Sequence, residues 1–326
     1  MKIKSLQHKI KQILLTCRQI VHLPNFQLST FNFQFSTFNF QLIKRILKKI
    51  LGWFLFLILT IILAVTMRVL LLASFLIPTG SMHPTLIPGD FIFVNKMIPG
   101  PRIFKSWDFL KNGDFSMKRL KGYRKVKRNE IIVFNYPYSN RHKLELDFNV
   151  FYAKRCIAVP GDTFYIDNGI YRVKNSPDTL GHYPGQKQLS ETPVEDFPPH
   201  IYNCFPDTVY GWNIRNFGPL YIPGENDTVA IDTMSIRLYR KLIEYETQQP
   251  VDLRDGQVFI SNQSVSEYVF RQNYYFMAGD YVRDSRDSRY WGLLPEDHIV
   301  GKAFIIWKSK NRDTGKWQWK RFFKRL

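Results

Sequence analysis

Residues 149–173 read NVFYAKRCIAVPGDTFYIDNGIYRV. Branched and aromatic residues fill two runs. Pro160-Gly161-Asp162 closes the first, and Asn168-Gly169 splits the second into two short halves. An Asn-Gly pair tolerates the positive φ of a tight two-residue turn, so 163–173 predicts a β-hairpin. In the first run, side chains alternate between faces. Lys154 therefore shares a face with Tyr152 and Cys156, while Arg155 points the other way. Working outward, 90–97 (DFIFVNKM), 129–137 (NEIIVFNYP), 273–280 (NYYFMAGD) and 300–309 (VGKAFIIWKS) have the same composition and are bounded by Pro, Gly or Asp. Helical periodicity is strongest in 232–250, where Ile236, Leu238, Leu242 and Ile243 mark one face. The fold class predicted is mainly β. It is a β domain over 78–310, interrupted by a Pro- and loop-rich cap at roughly 174–255.

The chain has 326 residues and a net charge of +19, unevenly placed. Residues 1–50 hold nine Lys/Arg and no acid, and 308–326 hold eight against Asp313 alone. Such a balance suits nucleic acid or an anionic membrane surface. The run ILGWFLFLILTIILAVTM at 50–67 decides for the membrane. Eighteen uncharged residues cover most of a ~30 Å hydrocarbon core as a helix. Lys44, Arg45, Lys48 and Lys49 precede it, the flank expected on the cytoplasmic side. The expected order is a basic, low-complexity tail (1–49), a transmembrane helix and apolar membrane-proximal segment (50–77), the β domain (78–310), and a basic C-terminal tail (311–326). No zinc-finger or helix-turn-helix pattern supports nucleic acid as a partner. The basic run at 117–128 reads as a solvated loop. The repeats NFQLSTF and NFQFSTF at 25–38 lack a helical apolar period and read as an ill-ordered appendage. Cys17, Cys156 and Cys204 form no disulfide framework.

Past the span, IPTGSMHPTLIPGD (77–90) places Ser81 among turn residues. A serine nucleophile needs a base. His83 stands two residues away, but that spacing alone does not orient an imidazole on the hydroxyl. A lysine serves if desolvation strips its charge. Lys154, on the apolar side of a strand, is the candidate.

Taken together, IPTGSMHPTLIPGDFIFVNK (77–96), NEIIVFNYP, YAKRCIAVPGD (152–162) and FMAGDYVRDSRDSRYWGLLPEDHIVGKA (276–303) resemble the bacterial type I signal peptidases, membrane-bound Ser/Lys endopeptidases. The resemblance covers roughly 50–310. It implies that Ser81 is the nucleophile and Lys154 the general base. Gly80, the Ser81 backbone and the Thr79 hydroxyl stand where the oxyanion hole is built. Gly279 and Asp280 open the C-terminal signature. Ser285 aligns with a serine that helps orient the lysine, and Asp287 and Arg289 with a supporting ion pair. Phe75, Ile77, Met82 and Ala153 fall where the pockets for the small residues at the cleavage site are lined. The implied function is removal of N-terminal signal peptides from exported preproteins, cleaving after a small-x-small motif. The implied location is the bacterial inner membrane: a single span, the N-terminus cytoplasmic and the catalytic domain on the outer face. The partners implied are signal peptides and anionic lipid headgroups, with no metal or other cofactor.

Two departures stand out. Ala153 is smaller than the branched residue common before the lysine. The signature Gly-Asp-Asn-Arg-Asp-Asn-Ser is here Gly279-Asp280-Tyr281-Val282-Arg283-Asp284-Ser285. Length and Ser285 are kept, and 281–284 read as a structural turn. The competing functions are a related Ser/Lys peptidase that matures pilus subunits, and a catalytically inactive, membrane-anchored binding protein on the same scaffold.

Overall fold

The computed structural model describes residues 28–104, 117–138, 143–205 and 208–326. Cys17 and the start of the first repeat lie outside them. The chain divides into two compact units between Val65 and Thr66.

Helix α1, Leu28–Thr66, makes up the described part of the first unit and ends at its boundary. It corrects the reading of the repeats: from residue 28 onward they are helical. No Gly or Pro interrupts 28–51, and adding residues to an existing helix is far easier than nucleating one. Leu42–Thr66 is long and apolar enough to cross a membrane, about 37 Å at ~1.5 Å per residue. Its large side chains are exposed all round, Trp53 to 73% and Leu59 to 64%. Such a surface calls for a lipid environment.

The second unit is built on an eight-stranded antiparallel sheet. Its strands are β1 (Leu72–Leu76), β2 (Asp90–Asn95), β3 (Ile131–Asn135), β4 (Phe151–Ala158), β5 (Tyr274–Ala278), β6 (Leu294–Pro295), β7 (Ile299–Ser309) and β8 (Lys324–Arg325). They lie in the order β1-β2-β7-β3-β4-β5-β6, and β8 adds to β7. Register shifts along β7, at Ala303/Ile305 and Ile306/Lys308, are bulges that sharpen the twist and curl the sheet. Every residue of β3 is buried. Ile132 and Phe134 enter one apolar cluster, Ile131 and Val133 another. The period-two alternation thus separates two cores on either side of the sheet.

The predicted hairpin is present, with Thr163–Asp167 paired to Ile170–Val173. Its corner residues Asn168 and Gly169 have φ of 44° and 83°, the pairing that a primed turn requires. The inserted region carries helices α2 (Tyr183–Glu191) and α3 (Ser235–Thr247). In α3 the buried residues are Ile236, Tyr239, Leu242 and Ile243, with Leu238 partly buried beside them. Cys156 and Cys204 are buried and free.

Two basic segments differ from expectation. In the run 117–128 the lysines at 118, 121, 125 and 127 are exposed, but the arginines are structural. Arg119 donates to the carbonyls of Glu296, Asp297 and Ile299. Arg124 pairs with Glu130, and Arg128 with Asp162 and Asp178. The segment 311–326 is no free tail. It returns to pair β8 with β7, and Arg321 meets the fully buried Asp90 at 2.6 Å. A buried carboxylate needs a partner, and the last residues of the chain supply it.

Candidate active site: a serine against a buried lysine

Ser81 sits in the connection from β1 to β2. Backbone bonds from Ile77 N–H to Asp90 O (2.8 Å) and from Gly89 N–H to Ile77 O (2.9 Å) close its base. Within it, His83 N–H donates to Gly80 O and Leu86 N–H to Met82 O. Met82 and Leu86 are buried in the second apolar cluster. Sinking them leaves Ser81 half-exposed at a cleft of about 550 Å³. Thr79, Gly80, Ser81 and Lys154 line one part of the cleft, Tyr152, His83, Tyr281, Asp284 and Arg286 the rest.

Lys154 projects from the middle of β4, paired across to Ile132 of β3. It is 1% exposed, and its Nζ is hydrogen-bonded to Ser81 Oγ at 2.5 Å. The Tyr152 ring lies 5.8 Å from the amine. Burial lowers the Lys154 pKa from 10.5 to about 8. Asp287, Asp280 and Asp284 act the other way, and Arg289 reinforces the fall. Desolvation wins because a buried ammonium loses its hydration while the carboxylates are not in contact with it. His83 is exposed on the rim, its ring edge-on to Tyr281 at 6.3 Å. The partner at Ser81 Oγ is the lysine.

The loop after β5 closes the back of the site. Gly279 N–H donates to Asp287 Oδ2 at 2.9 Å. A Cβ at Gly279 would lie 2.1 Å from Ser285 Oγ and 2.4 Å from Ser81 O. Only glycine fits between Ser81 and the loop. Asp280 takes both Arg155 Nε and Nη2, at 2.7 and 2.5 Å. Sequence reasoning did not foresee that contact. Its signal was an arginine facing away from Lys154 on an interior strand. Asp287 and Arg289 are both fully buried and pair at 2.8 Å. Burial alone would raise the Asp287 pKa, yet the charge and hydrogen bonds of Arg289 hold it low. Arg289 also donates to Val282 O, fixing the turn.

Ser285 is buried, and its hydroxyl has no hydrogen-bond partner among the described residues. It does not bond Lys154, because it is packed under Gly279 instead. Of the pocket residues implied by resemblance, Ile77 and Met82 are buried in the second cluster, and Phe75 and Ala153 pack on it partly buried. They sit together at that cluster and do not line the cleft itself. Asp284 is a fourth departure from the signature, standing where the pattern has its second Asn.

A serine hydroxyl held against a desolvated lysine on a curled antiparallel sheet defines a class, the serine endopeptidases of Ser/Lys type. Comparison with known proteins narrows it. Residues 50–308 match the family described as "Signal peptidase, peptidase S26". The chain is 27% identical over 262 residues to signal peptidase I of Buchnera aphidicola subsp. Baizongia pistaciae, covering 79% of this chain and 76% of that one. It is 30% identical over 251 residues to the protein of Buchnera aphidicola subsp. Acyrthosiphon pisum, covering 74% and 70%. To that of Aquifex aeolicus it is 29% identical over 269 residues, covering 76% and 81%. The chain belongs to the signal peptidase (peptidase S26) family.

Proposed function

We propose that this chain is a signal peptidase I that removes N-terminal signal peptides from exported preproteins, with Ser81 as nucleophile and Lys154 as general base. The observation that carries this reading is the 2.5 Å approach of Lys154 Nζ to Ser81 Oγ on a lysine only 1% exposed. In its neutral form the amine accepts the Ser81 proton as Oγ attacks the scissile carbonyl carbon. The oxyanion that forms takes hydrogen bonds from the Ser81 backbone N–H and the Thr79 hydroxyl. Collapse expels the new N-terminal amine, which takes the proton from Lys154. Water, giving a proton to the same lysine, then attacks the acyl-serine ester; the C–Oγ bond breaks, Ser81 Oγ takes the proton back from Lys154, and the signal peptide leaves with its new carboxylate. Phe75, Ile77, Met82 and Ala153 belong to or pack on the second apolar cluster and are not among the cleft-lining residues, so they shape the acyl side of the site by supporting the Ser81 segment.

Leu42–Thr66 anchors the chain in the membrane, with Lys44, Arg45, Lys48 and Lys49 on the cytoplasmic side and the catalytic unit on the outer face. Anionic headgroups are the counterpart of the exposed lysines in 117–128 and of the basic N-terminal flank. An inactive binding scaffold would have no reason to desolvate a lysine beside a serine, since the burial costs stability. The test is cleavage of a purified preprotein by the full-length chain in proteoliposomes. Ser81→Ala and Lys154→Ala are each expected to abolish cleavage while the protein still folds. Substantial turnover by either variant overturns the dyad.

A further inference from the structure

The inserted region is the part of the chain to which the dyad assigns no task, and 281–284 is the part of the signature that departs from pattern. They touch each other. Val282 is 2% exposed and belongs to the same apolar cluster as Leu180, Leu189 and Phe197 of the insertion. A Cβ at Gly185, in the first turn of α2, would lie 3.3 Å from Val282 Cγ2 and 3.4 Å from Asp280 O. The Arg283 guanidinium stands over the Phe197 ring at 5.4 Å. Further along, Phe205 N–H donates to Arg289 O at 2.8 Å, and Tyr290 OH to Ile201 O at 2.7 Å.

The opposite side of the same loop is pressed on the nucleophile. Tyr281 N–H donates to Ser81 O at 3.1 Å. Thus residue 281 holds Ser81, while 282 and 283 hold the insertion. Gly279 leaves no slack, since even a Cβ there would collide with Ser285 and Ser81. Among the described residues the Ser285 side chain has no hydrogen bond, so its position is set by packing and by the Arg289 Nη2 bond to its carbonyl oxygen at 3.5 Å.

We propose that segment 180–205 is a brace for the catalytic loop, and that Val282 and Arg283 are positioning residues that receive it. This explains why an apolar residue and a ring-stacking cation stand where the signature has Arg and Asp. They are fitted to the insertion rather than to the cleft. The proposal rests on the Ser81/Lys154 reading. Through the loop, the brace sets the distance of Asp280, Asp284, Asp287 and Arg289 from Lys154. The other charged or titratable groups facing the amine from the cleft are His83, Arg286, Tyr281 and Tyr152, and only the first lies on the nucleophile segment.

The test uses the full-length chain in proteoliposomes, with Arg283→Met and Phe197→Leu, which keep apolar bulk, and the double variant. Small misplacements of reacting groups are felt strongly, so each single variant is expected to lower kcat by about tenfold. KM should stay near wild type. The rising limb of the pH profile should move by about half a pH unit as the charges around Lys154 shift. The double variant should be no worse than the weaker single one, because both cut the same contact. Arg283→Lys and Phe197→Tyr should restore kcat. The proposal is overturned if the variants lower the unfolding temperature while kcat and the pH limb keep wild-type values, or if the two losses simply multiply. Should Phe197→Leu fail to fold, Arg283→Met decides alone, since that side chain is only half-buried. A Ser81→Ala control separates the two levels. Activity surviving in that control sinks the dyad and the brace together, whereas an inactive control with wild-type-like brace variants sinks the brace only.

Discussion

Replacing Lys154 by methionine should abolish catalysis and stabilise the protein at neutral pH. Methionine nearly matches the lysine stem in length and carries no charge to desolvate. The pKa of Lys154 falls from 10.5 in the unfolded chain to about 8 in the folded one, chiefly through burial. At ~1.4 kcal/mol per pH unit, that is a penalty on the order of 3 kcal/mol. The sign follows from linkage. Below about pH 8 the lysine is protonated in both states, and the whole penalty is present. Between about 8 and 10.5 the unfolded chain holds the proton more tightly, so stability rises with pH. Above 10.5 both states are neutral and the penalty is gone. Lys154→Met should therefore exceed wild type at about pH 7 by roughly 6–12 °C in Tm, given ~2–4 °C per kcal/mol for a domain of this size.

The assay is thermal unfolding of wild type and Lys154→Met across that pH range, with kcat/KM of wild type measured in parallel. The advantage of the variant should shrink as pH rises from 8 to 10.5, while wild-type activity climbs along a limb centred near 8. One titration then governs both curves. A variant no more stable than wild type at neutral pH, or an advantage independent of pH, refutes the desolvation argument. The base at Ser81 would then need another explanation.

His83→Ala should leave the rising limb near pH 8 in place and change kcat/KM by less than about threefold, since the ring sits on the rim; its abolition with Lys154→Ala still active would reverse the assignment. Asp287→Asn strands Arg289 in a fully buried site and should cost about 3–5 kcal/mol in urea unfolding; a loss under ~1 kcal/mol would mean the pair carries little structure. Protease added to spheroplasts should digest the catalytic unit and spare the N-terminal segment, as the basic flank of the span requires; full protection of the catalytic unit would invert the topology.

The strands were legible because both sheet faces are buried. Where burial is two-sided, branched and aromatic residues crowd a run of five or more positions, as in 131–135 and 274–278. The hairpin was legible for a different reason: Asn168-Gly169 is a local requirement of backbone conformation. What escaped were contacts made across the fold. Arg321 and Asp90 are 231 residues apart, so nothing near either one announces that the basic C-terminus completes a buried ion pair. The lysines and arginines of 117–128 look alike as a charge run. Only the fold sorts them, pointing the lysines to solvent and the arginines at carbonyls and carboxylates.

The site shows the same division in a smaller space. Lys154 could be found from sequence because its anomaly is local: a cation on the apolar side of a strand. Its chemistry, though, depends on groups that reach it from far along the chain. Arg155 and Asp280 are 125 residues apart, and the Asp280 carboxylate is one of those opposing the fall in the lysine pKa. The signature loop departs from pattern at four consecutive positions, which the sequence reads as a structural turn while an inactive scaffold stands as a competing reading. In three dimensions those positions divide: Tyr281 and Asp284 line the cleft, while Val282 and Arg283 meet the insertion. A decaying site would have lost the close fit of Gly279 against Ser81 and the buried Asp287–Arg289 pair, each intolerant of small changes. Both are intact. The altered loop therefore reads as a site fitted to its own inserted region, with the desolvated lysine still held against the serine.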